Sequence, residues 1–245
     1  MAGSSRLIKA GLLVFVIGLV VSFPARVAYR WFAPAEFVAS GISGSIWSGR
    51  AAEASAAGNY FRDLNWNIRL LDLFTAKLGY AIESKLSSGF VEGNIAVGLG
   101  GSLRATELRA TLPLASLQSL SGIAGMRGSA SVDFSRLEIA NGMPTSAQGT
   151  VEISGLTVPL VSRDPIGGFK AEFFSQESGI AASLEDTNAV IDLAGSLQLT
   201  ADGGYQLLAQ LSATDQTPAA IRQQLQFLGP ANDRGQHELR LEGTL

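Results

Sequence analysis

Residues 63–70 read DLNWNIRL: Leu64, Trp66, Ile68 and Leu70 alternate with Asp63, Asn65, Asn67 and Arg69. Successive side chains of an extended strand point to opposite faces, so this pattern predicts a strand with one face buried and one face wet. The same period recurs outward from it. Ala76, Leu78, Tyr80 and Ile82 alternate with Lys77, Gly79 and Glu83, and Val91, Ile95, Val97 and Leu99 follow Ser88-Gly89. Further on, Ala130, Val132 and Phe134 alternate with Ser131, Asp133 and Ser135. Phe169, Ala171 and Phe173 face Ile180, Ala182 and Leu184 across a turn at Gln176 to Gly179. Tyr205, Leu207, Ala209 and Leu211 follow a turn at Asp202-Gly203-Gly204, and Leu239 and Leu241 close the chain. Between residues 37 and 58, glycines at 41, 44, 49 and 58 punctuate a pair of short strands.

Only two short helices are predicted within this β-rich region. One is Leu114–Leu120. The other is Pro218–Leu228, with Thr217 as cap and Gly229 as stop. Gly101-Ser102-Leu103, Gly149-Thr150-Val151 and Gly195-Ser196-Leu197 recur at offsets of about 46–48 residues, and two of them lead to Leu112-Pro113-Leu114 and Val158-Pro159-Leu160. That echo points to a multi-strand unit used more than once. The expected fold is mainly β: a large, antiparallel, curved multi-strand sheet with two short helices. Its apolar face is either covered by a second sheet, as a sandwich, or left open as a groove.

Ahead of the strands lies a different material. Residues 10–25, AGLLVFVIGLVVSFPA, carry no charge and are bracketed by Arg6 and Lys9 on one side and by Arg26 and Arg30 on the other. Sixteen helical residues cover roughly 24 Å against a hydrocarbon core of about 30 Å, so a span needs Leu7 and Ile8 as well, with Lys9 snorkelling. A cleaved signal peptide is the competing reading, but the small-x-small site Ala33-Pro34-Ala35 lies well past the apolar core and behind two arginines. A buried helix of a soluble domain is the third. The retained anchor is preferred. Residues 1–35 then form a short cytoplasmic tail and a single transmembrane helix, and residues 36–245 a β-rich domain on the exported side. Arg26, Tyr29, Arg30, Trp31 and Phe32 suit a membrane-interface belt.

Composition excludes several function classes. The net charge is −3, and the lysines and arginines are scattered, so no electrostatic case exists for nucleic acid. There is no cysteine and a single histidine, His237, which removes thiolate sites and multi-histidine metal sites from consideration. Glycine makes up 28 of the 245 residues, about eleven per cent against a usual seven, and without a collagen period this reads as many turns and strand ends. His237-Glu238 is read as a surface pair and Glu185-Asp186 as a solvated turn. Gly98-Leu99-Gly100-Gly101 and the run from Gly122 to Gly128 lack the context of a phosphate loop. No Gly-x-Ser-x-Gly elbow is present. No catalytic residue, cofactor site or metal site is therefore expected, and the chain is not read as an enzyme.

The stretch GISGSIWSGRA at residues 41–51 stands out, with Gly44, Trp47, Gly49 and Arg50 as the positions of interest. An exposed Trp and Arg anchor partners well; equally, Trp47 can fill the core while Gly49 permits a bend. The stretch resembles the glycine-rich motif near the start of the type II secretion system protein N family. That family pairs it with a short amino-terminal anchor and a Leu-x-Trp strand, here Leu64-Asn65-Trp66. It also has a short apolar turn where Leu112-Pro113-Leu114 sits and a final strand like Leu239 to Leu245. The resemblance implies an accessory component of a bacterial exporter of folded proteins. Such a component is held in the inner membrane with its amino terminus cytoplasmic and its β domain periplasmic, and its partners are other secretion-system components. A weaker, architectural similarity to AsmA-like proteins implies the alternative, an envelope protein that binds or transfers lipid or another apolar ligand.

Overall fold

The computed structural model describes residues 2–34, 37–56, 59–73, 77–86, 88–98, 100–118 and 122–244. The alternating stretches become one antiparallel sheet. β1 (Val38–Ser40), β2 (Ser43–Gly44), β3 (Ser48–Ala56) and β4 (Asn59–Ile68) are followed by β5 (Lys77–Leu86), β6 (Gly89–Gly98) and β7 (Leu103–Pro113). Then come β8 (Arg127–Ala140), β9 (Met143–Thr157), β10 (Gly167–Gln176), β11 (Gly179–Asp186), β12 (Ile191–Thr200), β13 (Gly204–Ala213) and β14 (His237–Thr244). Their order in the sheet is their order in the chain, with β2 set aside as a short partner of β3. The path ends at β14 without returning to β1, so the open sheet is found and the sandwich is not.

Register explains the alternation. Leu108, Phe134, Gly149, Phe173, Ala182, Leu197, Leu207 and Leu241 are successive cross-strand neighbours, an apolar row across eight strands. One residue along, Arg109, Asp133, Thr150, Glu172, Ser183 and Ser196 form the corresponding row on the other face. That second face is wet and laced with ion pairs: Arg109 lies 3.6 Å from both Glu92 and Asp133, and Arg104 lies 2.7 Å from Glu138. Exposed pairs of this kind contribute about 0–1 kcal/mol each, so they mark the solvated face more than they hold it. Burial on the apolar face does the holding.

Two caps cover parts of that face. A 3-10 turn, Leu114–Leu117, drops Leu114 onto Met126 and Ala130. Helix α4 (Ala219–Leu225) lays Ile221 and Leu225 over Ile166, Ile191, Ala209 and Leu211, all less than a tenth exposed. Elsewhere on the same face, Phe134, Ala147 and Ile180 form a third cluster, with the rings of Phe134 and Phe173 at 5.6 Å.

Several expectations need correction. Leu70 leaves the strand: the Arg69 amide donates to the Gly79 carbonyl, and the chain turns into the single-turn helix α3 (Leu70–Leu73), where Leu70 is exposed. Asp63 has φ +50 at a register shift between Arg62 and Asn65, so the strict alternation begins only at Leu64. Thr217 does not cap α4; its hydroxyl donates to the Val190 carbonyl instead, tying the helix to β12, while Pro218 takes the cap position. Gly229 does end the following 3-10 turn, Gln226–Leu228, with φ +113. The predicted helix at 114–120 begins as a 3-10 turn, Leu114–Leu117, and passes into helical backbone at Gln118; Ser119 and Leu120 lie outside the described residues, as do Ala76 and Leu99 of the predicted strands. The internal echo has no structural counterpart. Gly101 lies in the turn before β7, whereas Gly149 and Gly195 lie in the middle of β9 and β12. Only the proline tripeptides match, both at strand ends.

At the amino terminus, α1 (Ala2–Val21) is a twenty-residue helix, with Leu12 to Val21 carrying exposed apolar side chains. Among the described residues no helix is long and apolar enough to cross a membrane, so the single transmembrane helix expected within residues 1–35 is not supported. The stretch from Gly11 to Val21 alone would rise only about 16 Å, half a hydrocarbon core. Helix α2 (Ala25–Phe32) follows after Pro24.

Candidate functional site

The resembling motif folds as the hinge between helix and sheet. β2 pairs with β3 through Ser43 to Arg50 and Gly44 to Gly49, making a tight hairpin with Trp47 near its tip. The geometry requires its glycines. Gly44 has φ +88, and a Cβ there would lie 2.5 Å from the Ser48 carbonyl oxygen. A Cβ on Gly49 would lie 2.5 Å from the Trp66 ring and 2.6 Å from the Ser43 oxygen. Ser45 organises the tip: its hydroxyl accepts from the Trp47 and Ser48 amides at 3.2 Å, and its amide donates to the Ser48 carbonyl at 2.8 Å.

This hairpin is fastened to the helices in three places. The Trp47 indole N–H donates to the Val20 carbonyl at the end of α1 (2.8 Å). The Ile46 amide donates to the Phe23 carbonyl (3.0 Å), and Pro24 and Ser45 form an isolated bridge. From the sheet side, the Trp66 indole donates to the Ser45 carbonyl (3.1 Å), and the Ile68 amide donates to the Trp47 carbonyl (2.6 Å). The last carbonyls of a helix have no partners within it, and here the Val20 carbonyl accepts from the hairpin's Trp47 as well as from the Phe23 amide (3.3 Å).

The predicted positions divide accordingly. Gly44, Trp47 and Gly49 come together at the fastening. Arg50 faces away, exposed, between Ser43 and Asn65, on the polar side with Asp63, Glu83 and Lys85. Of the expected interface residues, Trp31 and Phe32 are among the most exposed apolar side chains in the molecule, at 68 % and 76 %, and Arg26 and Arg30 are exposed. Tyr29 differs: it folds onto β1, where its hydroxyl accepts from the Ala39 amide at 3.0 Å and its ring stands edge-on to Phe37. Tyr29 is committed to the domain by spacing that sequence alone did not reveal, since Ala25, Ala28 and Tyr29 form one stripe of an eight-residue helix.

Under that stripe lies an apolar cleft of about 340 Å³, floored by Ala51, Leu64 and Trp66. Sequence reasoning missed it; the signal was the run of alanines at 25, 28, 33, 39 and 51, too small to fill the space between helix and sheet.

The residues weighed for chemistry have structural duties. His237 Nδ1 lies 2.8 Å from the Gly229 carbonyl, closing the loop before β14. Glu185 pairs with Lys170 at 3.2 Å, holding the lysine above its usual pKa, and Asp186 accepts from the Leu193 amide at 2.8 Å. The pKa of the Asp202 carboxyl in the β12–β13 turn is lowered by bonds from the Thr200 hydroxyl and the Gly204 amide. Among the described residues no three His, Asp or Glu side chains gather as a metal site.

The family profile described as type II secretion system (T2SS), protein N, matches residues 35–240, from just before β1 into β14. The chain is 26 % identical to the type II secretion system protein N of Vibrio cholerae, over 98 % of this chain and 99 % of that one. It is 25 % identical to that of Pectobacterium carotovorum and 24 % to that of Aeromonas hydrophila, each over 98 % of both chains. No solved structure matches it. With the profile covering nearly the whole sheet, the chain belongs to the type II secretion system protein N family.

Proposed function

We propose that this protein is a non-enzymatic accessory component of a type II secretion system, held at the inner membrane by its amino-terminal segment and acting through contacts with other secretion components in the export of folded proteins. Its amino terminus is cytoplasmic and residues 36–245 are periplasmic. The observation that carries this reading is the fastening: Trp47 bonds the Val20 carbonyl at the end of an exposed apolar helix, and the Ile46 bond to Phe23 and the Pro24–Ser45 bridge join the short link after that helix to the first hairpin of the sheet. A loosely linked anchor would only retain the domain, whereas one fastened this way sets the orientation in which the sheet meets a partner. Deleting residues 41–245 in the native host is expected to stop secretion of folded exoproteins. Secretion left intact for all of them would sink the reading.

A second reading has its own support. The apolar row from Leu108 to Leu241 runs toward an open edge, where Leu241 is 47 % exposed, a surface suited to carrying lipid or another apolar ligand. Native mass spectrometry of residues 36–245 without detergent separates the two: co-purifying phospholipid favours the carrier, and its consistent absence counts against it.

A further inference from the structure

We infer that the cleft beneath α2 binds one acyl chain of an anionic phospholipid, whose phosphate is held by Arg26 and Arg30. At about 340 Å³ the cleft lies within the range of small-molecule sites, about 300–1,000 Å³. Its wall is apolar, and the two polar side-chain atoms on it are already engaged: Trp66 Nε1 with the Ser45 carbonyl and the Tyr29 hydroxyl with the Ala39 amide. Nothing there is aimed at a polar ligand, and an aliphatic chain would restore the dispersion contacts that an open apolar void lacks. The charge lies at the side of the same helix. Arg26 and Arg30 are one turn apart, each next to a cleft residue (Ala25 and Tyr29), both exposed, and among the described residues neither is paired with a carboxylate. Guanidinium groups bind phosphate oxygens through paired hydrogen bonds. The exposed apolar side chains of α1 run directly into α2, so hydrocarbon and headgroup chemistry meet at this helix. The inference deepens the membrane reading above and differs from the carrier reading in place, because the cleft lies at β1–β4 and away from the row on β7–β14.

The test uses the full chain in maltoside micelles with equal amounts of dioleoyl phosphatidylglycerol and dioleoyl phosphatidylcholine, read by native mass spectrometry. The expected result is one phosphatidylglycerol retained per chain in preference to phosphatidylcholine. Ala28→Phe, which fills the cleft, should abolish retention of both lipids. The exposed pair Arg26→Gln and Arg30→Gln should lower the phosphatidylglycerol preference by about fivefold per arginine. Equal retention of the two lipids by the wild-type chain overturns the inference, as does a preference that survives the double arginine substitution; the latter decides the matter even if Ala28→Phe fails to fold. Flotation of the same chain with vesicles reads anchoring separately. A chain that floats without lipid preference loses the site and keeps the anchor, and one that retains phosphatidylglycerol without floating does the reverse.

Discussion

At the carboxy-terminal end, α4 closes over the sheet with Ile221 and Leu225, and Ile166, Ile191, Ala209 and Leu211 beneath them are less than a tenth exposed. At the amino-terminal end, α2 crosses β1–β4 with Ala25 and Ala28 and leaves an open cleft. Both helices are short, follow a proline and lie beside the same sheet. They differ in what holds them. Leucine and isoleucine burial holds α4; hydrogen bonds from two tryptophans and a close backbone approach at two glycines hold the junction around α2. The first arrangement is a core. The second is a precise fastening with little core under it, which suits a part whose task is to set direction.

Four measurements would break or sharpen that contrast. The largest effect is expected at α4: Leu225→Ala removes a buried side chain and should cost about 2–5 kcal/mol in denaturant unfolding. A loss below about 1 kcal/mol would mean that α4 is no more a core element than α2. Gly49→Ala drives a Cβ against the Trp66 ring and the Ser43 carbonyl, at an expected cost of about 1–3 kcal/mol. Hydrogen exchange should show it, with amides of β2–β4 opening faster while those of residues 191–225 keep their rates. Uniform acceleration would argue against two separate regions. Trp47→Phe keeps most of the ring and loses the bond to Val20, so about 0.5–1.5 kcal/mol is expected, confined to the helix–hairpin contact. The Ile46 amide, which donates to Phe23, is the reporter.

The smallest effect lies at the far turn. Asp202 titrates below the ordinary 3.8 because Thr200 and the Gly204 amide bond its charged form. A depressed folded pKa gives stability that is present above the unfolded value and lost as pH falls through the folded one. A carbon-detected titration should place Asp202 below 3.8, and Thr200→Val should bring it back up; no change would show the Thr200 bond to be idle.

Wherever one face is buried and one wet, the sheet was readable from sequence. Phe169, Ala171 and Phe173 pair with the elements predicted for them because period two and a glycine turn leave little choice. Leu70 misled because alternation continues into residues whose amides have turned elsewhere. Thr217 misled because a hydroxyl before Pro218 looks like a cap, yet the loop leading into β12 offered the Val190 carbonyl. The motif at 41–51 was visible as a motif, but its bond partners, Val20 and Phe23, are more than twenty residues away, and no local pattern encodes such a contact. The cleft was hidden for a related reason: alanines at five scattered positions only become a void once folding brings them together.

From β3 to β14, each strand pairs with its immediate neighbour in the chain. Contacts made only between consecutive strands have low sequence separation, and such topologies fold fast. For this chain it also means that assembly can proceed strand by strand as the polypeptide emerges, each finished strand serving as the template for the next. Throughout that process the growing edge is bare and ready to pair with a stranger. The last strand ends the hazard with its own composition: Glu238, Arg240 and Glu242 place alternating charge along the final free edge, a guard against indiscriminate pairing.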